Sequence, residues 1–281
     1  MTDIEIIEAE LAQRELARRS YSEYLAYVHG VLWKRTRMSK YLADEVQKFV
    51  MTNTGNAYDI LVIATPPQHG KSMTLSESLP SWYFTKFPNN RVIIASYNED
   101  TAAKFGRKNS DKVKRFGNAL AGIQIGNVDK STEFELSNGI GRLISRGIMS
   151  GITGNPANLI IIDDPIKNRE EADSETTRAK LWAEWQNSLK SRLAAGAKVI
   201  LIMTPWHEDD LRARLLNSEK NVKYIRLPVE AEDDDPLGRK KGDPLCPELG
   251  KDMNWLIQFR ESYVNDPNGG SRAWQALYQC S

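Results

Sequence analysis

Cysteine is nearly missing from this chain. Cys246 and Cys280 are the only two in 281 residues, and they stand far apart, so neither a disulfide framework nor a zinc site is indicated. A reducing cytoplasm is the expected setting. Also lacking is any apolar run near the ~18 residues that would suggest a membrane span. The start, Met1-Thr2-Asp3-Ile4-Glu5, is acidic, without a secretory signal's basic beginning and apolar middle. A charge excess is missing too: 38 Lys and Arg against 37 Asp and Glu leave a net +1. That balance does not announce a nucleic-acid binder, so any DNA contact must come from local patches. What is present, 41% hydrophobic and 27% charged residues, is ordinary for a soluble globular protein. The length suits one large α/β domain, or one domain with a small appendage.

One stretch organises the rest: Asp59-Ile60-Leu61-Val62-Ile63-Ala64-Thr65-Pro66-Pro67-Gln68-His69-Gly70-Lys71-Ser72. The apolar run reads as a buried strand, and it empties into a tight Pro- and Gly-containing turn. Gly70-Lys71-Ser72 then opens a helix expected to run to about Lys86. This is the order of parts a phosphate-binding loop needs. Backbone N–H groups of the turn and helix start face an anion, Lys71 adds a point charge, and the Ser72 hydroxyl can ligate Mg²⁺. Pro67, Gln68, His69, Gly70, Lys71, Ser72 and Met73 are the candidate nucleotide contacts. Against the pattern G-x-x-x-x-G-K-[ST], Thr65 stands where the first Gly is expected. The bare tripeptide should arise by chance in roughly one chain of this length in seven, so the remaining parts have to decide.

Before that strand, residues 5–28 and about 40–51 read as helices, with Thr52-Asn53-Thr54-Gly55-Asn56 breaking the second. Tyr41, Lys40 or Gln47 could meet an adenine, although a packed covering helix is the blander reading of each. After the loop, Arg91 to Tyr97 is a second buried strand. A helix over about 100–116 follows, with Lys104, Arg107, Lys108, Lys112, Lys114 and Arg115 on it. Such a run is usually a solvated face, but it is the densest candidate for DNA phosphates. Residues 120–145 read as β structure, in which Phe134-Glu135-Leu136 and Arg142-Leu143-Ile144 flank Ser137-Asn138-Gly139 as a hairpin. Residues 145–154 read as a Gly-rich, mobile stretch with one conspicuous Arg, Arg146.

Asn158-Leu159-Ile160-Ile161-Ile162-Asp163-Asp164-Pro165 is the second decisive feature, a buried parallel strand ending in two carboxylates. Ligands of open α/β sheets bind at that edge. Asp163 is placed to hold the Mg²⁺ that bridges the β- and γ-phosphates, and Asp164 to orient and deprotonate an attacking water. Residues 174–193 read as a long helix with Trp182, Trp185 and Leu189 on one side. The strand Lys198–Met203 then ends in Thr204-Pro205-Trp206-His207, where Thr204 is positioned to sense a γ-phosphate. His207 reads as a local cap rather than a base. A helix over 208–217 is expected to start with three acids, and 222–227 to be the last strand. Beyond Pro228 the texture turns polar, with short helices at about 252–263 and 271–279. The expected organisation is a core over 1–227, including a helical extension over about 1–52, and a small lid or linker subdomain over 228–281.

The pieces resemble the large terminase subunit of tailed bacteriophages, the ATPase that drives DNA into procapsids. The matching segments are Pro-Pro-Gln-His-Gly-Lys-Ser at 66–72, Ala-Ser-Tyr at 95–97 and Ile-Ile-Asp-Asp-Pro at 161–165. They continue with Thr-Pro-Trp-His-Glu-Asp-Asp-Leu at 204–211, Leu-Pro at 227–228 and Leu-Tyr-Gln at 277–279. Many relatives carry Arg where this chain has Pro205 and Glu where it has Asp164. No clear counterpart of their adenine-recognising Gln precedes the first strand.

The resemblance implies an α/β fold of the P-loop NTPase type. The central sheet is mainly parallel and flanked by helices, in the additional-strand branch that hydrolyses with an acidic residue. It implies ATP and Mg²⁺ as cofactors and double-stranded DNA, a portal protein and a small terminase subunit as partners. A homo-oligomeric ring, a pentamer on the procapsid, is implied inside an infected bacterial host, with a monomer conceivable in isolation. The family also carries a nuclease half. The chain stops where that half would begin, so no DNA cutting is expected of it. Arg146 is the candidate arginine finger for a neighbour's nucleotide, with Arg142 and Arg192 in reserve. Two alternatives stay open: a helicase-like or other DNA-dependent ATPase, and a P-loop protein that binds nucleotide as a structural switch.

Overall fold

The structure, a computed structural model, describes residues 2–152, 154, 156–267 and 269–281. Its helices and strands follow in the order α1 (Asp3–Arg19), α2 (Tyr21–His29), α3 (Arg37–Met51), β1 (Tyr58–Ala64), α4 (Lys71–Thr74), α5 (Leu79–Lys86), β2 (Arg91–Ser96) and α6 (Glu99–Lys112). Next come α7 (Asn118–Ala121), β3 (Ile125–Lys130), β4 (Glu133–Leu136), β5 (Arg142–Gly147), β6 (Ala157–Asp163), α8 (Arg169–Asp173) and α9 (Glu175–Glu184). The chain closes with β7 (Leu193–Met203), α10 (Leu211–Ser218), β8 (Val222–Arg226), α11 (Met253–Val264) and α12 (Gly270–Trp274).

The strands form one sheet in the order β3-β4-β5-β2-β6-β7-β1-β8. Pairing is parallel from β5 to β8 and antiparallel only at the β3-β4-β5 end. β7 therefore lies between the phosphate-loop strand β1 and the acidic strand β6, which is the additional-strand arrangement. Because strand side chains alternate faces, each apolar run feeds two cores. Leu61, Ile63, Ile94, Ile161 and Ile202 join the core that α1–α3, α5 and α6 cover. Ile60, Val62, Ile93, Ile162 and Leu201 join the core under α9 and α10, around Trp185, Leu189 and Leu215.

Local chemistry explains where the elements depart from their expected bounds. The helix expected over 5–28 is two helices, because Ser20 is extended and its side chain caps Glu23 N–H to start α2. The helix expected from Ser72 to Lys86 is broken at Leu75, and Pro80 in the first turn of α5 lacks the N–H a continuous helix needs. The helix expected over 174–193 ends as α9 at Glu184 and continues as a wider π turn over Trp185–Leu189 and a tighter 3-10 turn over Lys190–Arg192. The three acids do not start α10. Asp210 is its N-cap, accepting from Ala213 N–H at 2.9 Å, while Asp209 pairs with Arg178 and Arg214. Arg146 sits in β5 rather than in a mobile loop.

Residues 228–281 pack into the same core as α1–α3, through Val229, Leu245, Cys246, Leu256, Trp274 and Tyr278. The polar excursion within them is organised by a buried pair. Arg239 bonds Asp235 at 2.6 Å and donates to the backbone carbonyls of Pro228, Val229 and Asp243.

Candidate active site

Register alone lines up the expected site. Ser96 pairs with Asp163, Asp163 with Ile202, and Ala64 with Met203. The carboxyl ends of β2, β6, β7 and β1 therefore stand in a row, and Tyr97, Asp164, Thr204 and Thr65 follow on those ends. A cavity of about 480 Å³ opens above them. Its lining includes Pro67, Gln68, Gly70, Lys71, Ser72 and Met73 from the loop and Asp164 and Thr204 from the strand ends.

The loop conformation follows from its residues. Gln68 and Gly70 have φ of +58° and +81°. The second suits glycine, while the first costs a side-chain-bearing residue about 1–2 kcal/mol. Pro66 and Pro67 carry no N–H, so backbone donors for an anion must come from Gln68 onward. The N–H groups that open α4 have no partner within the helix. The helix is held from behind: Tyr21 OH donates to the Thr74 carbonyl, and Trp33 Nε1 donates to Thr74 Oγ1 at 3.0 Å.

Lys71, almost buried, lies 2.8 Å and 3.0 Å from the two Asp164 carboxylate oxygens and 3.4 Å from Thr204 Oγ1. Asp164 itself has φ +43°, a conformation that Asp tolerates better than most residues. Its N–H donates to the Ile202 carbonyl at 2.8 Å, extending the β6–β7 ladder by one bond.

Asp163 is buried. Burial, with the Asp164 charge beside it, pushes its carboxyl up to about 7, against the pull of Lys71 and of the Ser76 and Ser72 hydroxyls. Ser76 donates directly to Asp163 Oδ2. Ser76 was missed in the sequence. It reaches Asp163 only because the helix breaks at Leu75, and Asn109 on α6 fixes the break by donating to the Ser76 carbonyl at 2.9 Å. A carboxylate and a serine hydroxyl within bonding reach form a hard oxygen donor pair. Among the described residues no cluster of three or more acidic, His or Cys ligands exists. Asp163 and the Ser72 hydroxyl that acts on it are the oxygen donors that would suit Mg²⁺, which takes one or two protein oxygens and completes its shell with water and substrate phosphates.

The other expected residues fall elsewhere. His69 does not line the cavity. It is buried, its Nδ1 lies 2.7 Å from the Pro67 carbonyl, and burial followed by the Lys251 charge lowers its pKa to about 4. Arg146 donates to the Thr132 and Ser145 carbonyls and lies 3.7 Å from Glu99, outside the cavity but on the same sheet edge. Arg142 pairs with Glu133 and Glu135 at the start of β5, and Arg192 immediately precedes β7, both at the opposite edge. Gln47 accepts from Tyr21 N–H and donates to the Arg19 carbonyl, stapling the α1–α2 corner. Lys40 pairs with Asp44. Neither these two nor Tyr41 lines the cavity. His207 accepts from Asp209 N–H at 3.0 Å, the local cap expected of it. Tyr97, Ile166, Lys167, Trp206 and Leu277 also line the cavity, and of these the sequence had flagged none as a site residue.

The family model for the terminase large subunit, T4likevirus-type, N-terminal, matches residues 62–261. The chain belongs to this family. No curated protein matches it. Among solved structures, it is similar to the large terminase of bacteriophage HK97, with 12% identity and a TM-score of 0.54. That match covers 89% of this chain and 51% of the other, so the chain spans about half of that terminase. It is also similar to the ATPase domain of the Thermus phage P74-26 large terminase, with 12% identity and a TM-score of 0.50, covering 91% and 96%. At that identity the likeness is one of fold: the terminase chain has the expected mainly parallel α/β sheet of the P-loop type. No helix among the described residues is long and apolar enough to cross a membrane.

Proposed function

We propose that this terminase chain hydrolyses ATP in the cavity above β1, β6 and β7, and that hydrolysis drives double-stranded viral DNA into a procapsid. The observation that carries the chemical half is the contact of Lys71 with both Asp164 and Thr204 beside a glycine-containing turn. The packaging half rests on membership of the family.

In this reading the backbone of 67–71 cradles the phosphates, and Lys71 exchanges Asp164 for β- and γ-phosphate oxygens. Asp164, released from the ion pair, orients the lytic water and accepts its proton. Thr204 senses the γ-phosphate. Ser72 and Asp163 would hold Mg²⁺, which when bound neutralises charge developing on the phosphates. Arg146 serves the nucleotide of a neighbouring subunit in a ring, which requires it to leave Glu99. Portal protein and small subunit are the proposed partners.

Phosphate release by the purified chain, with and without portal-bearing procapsids and DNA, tests the proposal. Turnover stimulated by portal and DNA together is expected. Turnover stimulated by DNA alone would favour a DNA-dependent ATPase outside packaging, and no turnover would leave a nucleotide-binding switch.

A further inference from the structure

The phosphate loop is held from the far end of the sequence. Lys251, half-buried just before α11, donates from Nζ to the Gln68 carbonyl at 2.7 Å. It also lies 3.4 Å from His69 Nδ1, but a histidine nitrogen 2.7 Å from the Pro67 carbonyl must carry its own proton. The Gln68 carbonyl is therefore the acceptor of the ammonium. The ring of Trp255, one turn along, lies 5.3 Å from the same ammonium and 6.4 Å from the His69 ring. Trp255 stacks in turn on Phe259 at 4.6 Å, and Phe259 meets Tyr278 at 5.0 Å.

We propose that Lys251 is a positioning residue of the phosphate loop, acting through the Gln68 carbonyl. In a planar trans peptide the carbonyl and the following N–H point in opposite directions. Holding the Gln68 oxygen on the Lys251 side commits the His69 N–H to the other side. A flipped peptide would turn a carbonyl oxygen towards an incoming phosphate and remove a donor. Gln68 sits at φ +58°, where a side-chain-bearing residue relaxes readily unless its neighbours hold it. A charge-assisted hydrogen bond is the strong kind of restraint. The aromatic contacts behind Lys251 make the loop's geometry depend on how α11 and the C-terminal turns are seated.

The inference rests on the ATPase reading, and a pair of measurements on the 281-residue chain separates the two. Hydrogen exchange of residues 65–73 without nucleotide is compared in wild type, Lys251→Met and Lys251→Arg. The ATP KM and kcat of the three are then measured. Faster exchange confined to the loop in Lys251→Met is expected, with KM raised about tenfold (~1.4 kcal/mol) and kcat within about threefold. Lys251→Arg, which keeps the charge, should recover most of both. Unchanged exchange in Lys251→Met overturns the proposal, as does an equal loss in Lys251→Arg or faster exchange spread across α11 and α12. A wild-type chain without turnover overturns the ATPase reading, while the exchange comparison still decides whether Lys251 holds the loop.

Discussion

Lys71 and Asp164 are partners in an ion pair 93 residues apart in sequence, with Nζ 2.8 Å from Oδ2. The loop lysine and the acid at the end of β6 thus neutralise one another in the resting chain. A phosphate entering the cavity competes for the ammonium and frees the carboxylate. Lys71→Ala removes both the pairing and the charge. Its expected outcome is loss of steady-state ATPase by at least about 10²-fold, with the fold retained because Asp164 is partly exposed. Persisting turnover in a phosphate-release assay would show that the loop is misassigned.

Ser76 is a second test of the same site. Its hydroxyl is a donor to a buried carboxylate, and leaving such an acceptor short of a partner costs about 1–3 kcal/mol. Ser76→Ala should lose that much in urea unfolding and should need more Mg²⁺ for half-maximal turnover. A stability change without a shift in the Mg²⁺ midpoint would confine Ser76 to packing.

Stability against pH carries opposing signs. Burial lowers His29 and His69 to about 4 from 6.5, so the unfolded chain binds more protons between those values. Their contribution is present above pH 6.5 and is lost as pH falls towards 4. The upper bound is about 3 kcal/mol for His69, and less for the half-buried His29 because solvent screens it. Asp163, raised from 3.8 to about 7, acts the other way: its contribution is present below 3.8 and is lost as pH rises to 7. Unfolding free energies between pH 4 and 7 should therefore climb more steeply in Asp163→Asn than in wild type. His69→Gln should flatten the climb.

Arg146 can be placed by mixing. Arg146→Ala and Lys71→Ala chains are each expected to be inactive in an assembled ring. In mixtures, an intact Arg146 from the Lys71→Ala chain can serve an intact loop next to it. Recovered ATPase is the expected result, and none would assign Arg146 to its own subunit or to no catalytic role.

Legibility followed sequence distance and local chemistry. The strand, turn and acidic strand were readable because Ile60–Ile63 and Leu159–Ile162 are unbroken apolar runs that end in functional residues. The β character of 120–145 was legible, but the bounds of β3 were not, since Ile125-Gly126-Asn127-Val128-Asp129-Lys130 carries turn formers within a strand. The start of β7 was hidden behind Leu193-Ala194-Ala195-Gly196, which has no apolar alternation. The contacts of Ser76 with Asp163 and of Lys251 with Gln68 join residues 87 and 183 positions apart. No local pattern carries such pairs. They exist because the helix breaks at Leu75, before Pro80 helps start α5, and because α11 packs against the loop.

The central claim is that Asp164 turns over ATP that Lys71 and the loop bind. Asp164→Asn isolates that step, because Asn tolerates the same left-handed backbone and changes only the charge. Nucleotide affinity and phosphate release should be measured together on this variant. Affinity close to wild type with release slowed about 10²–10⁴-fold is the predicted result, and full retention of release would contradict it.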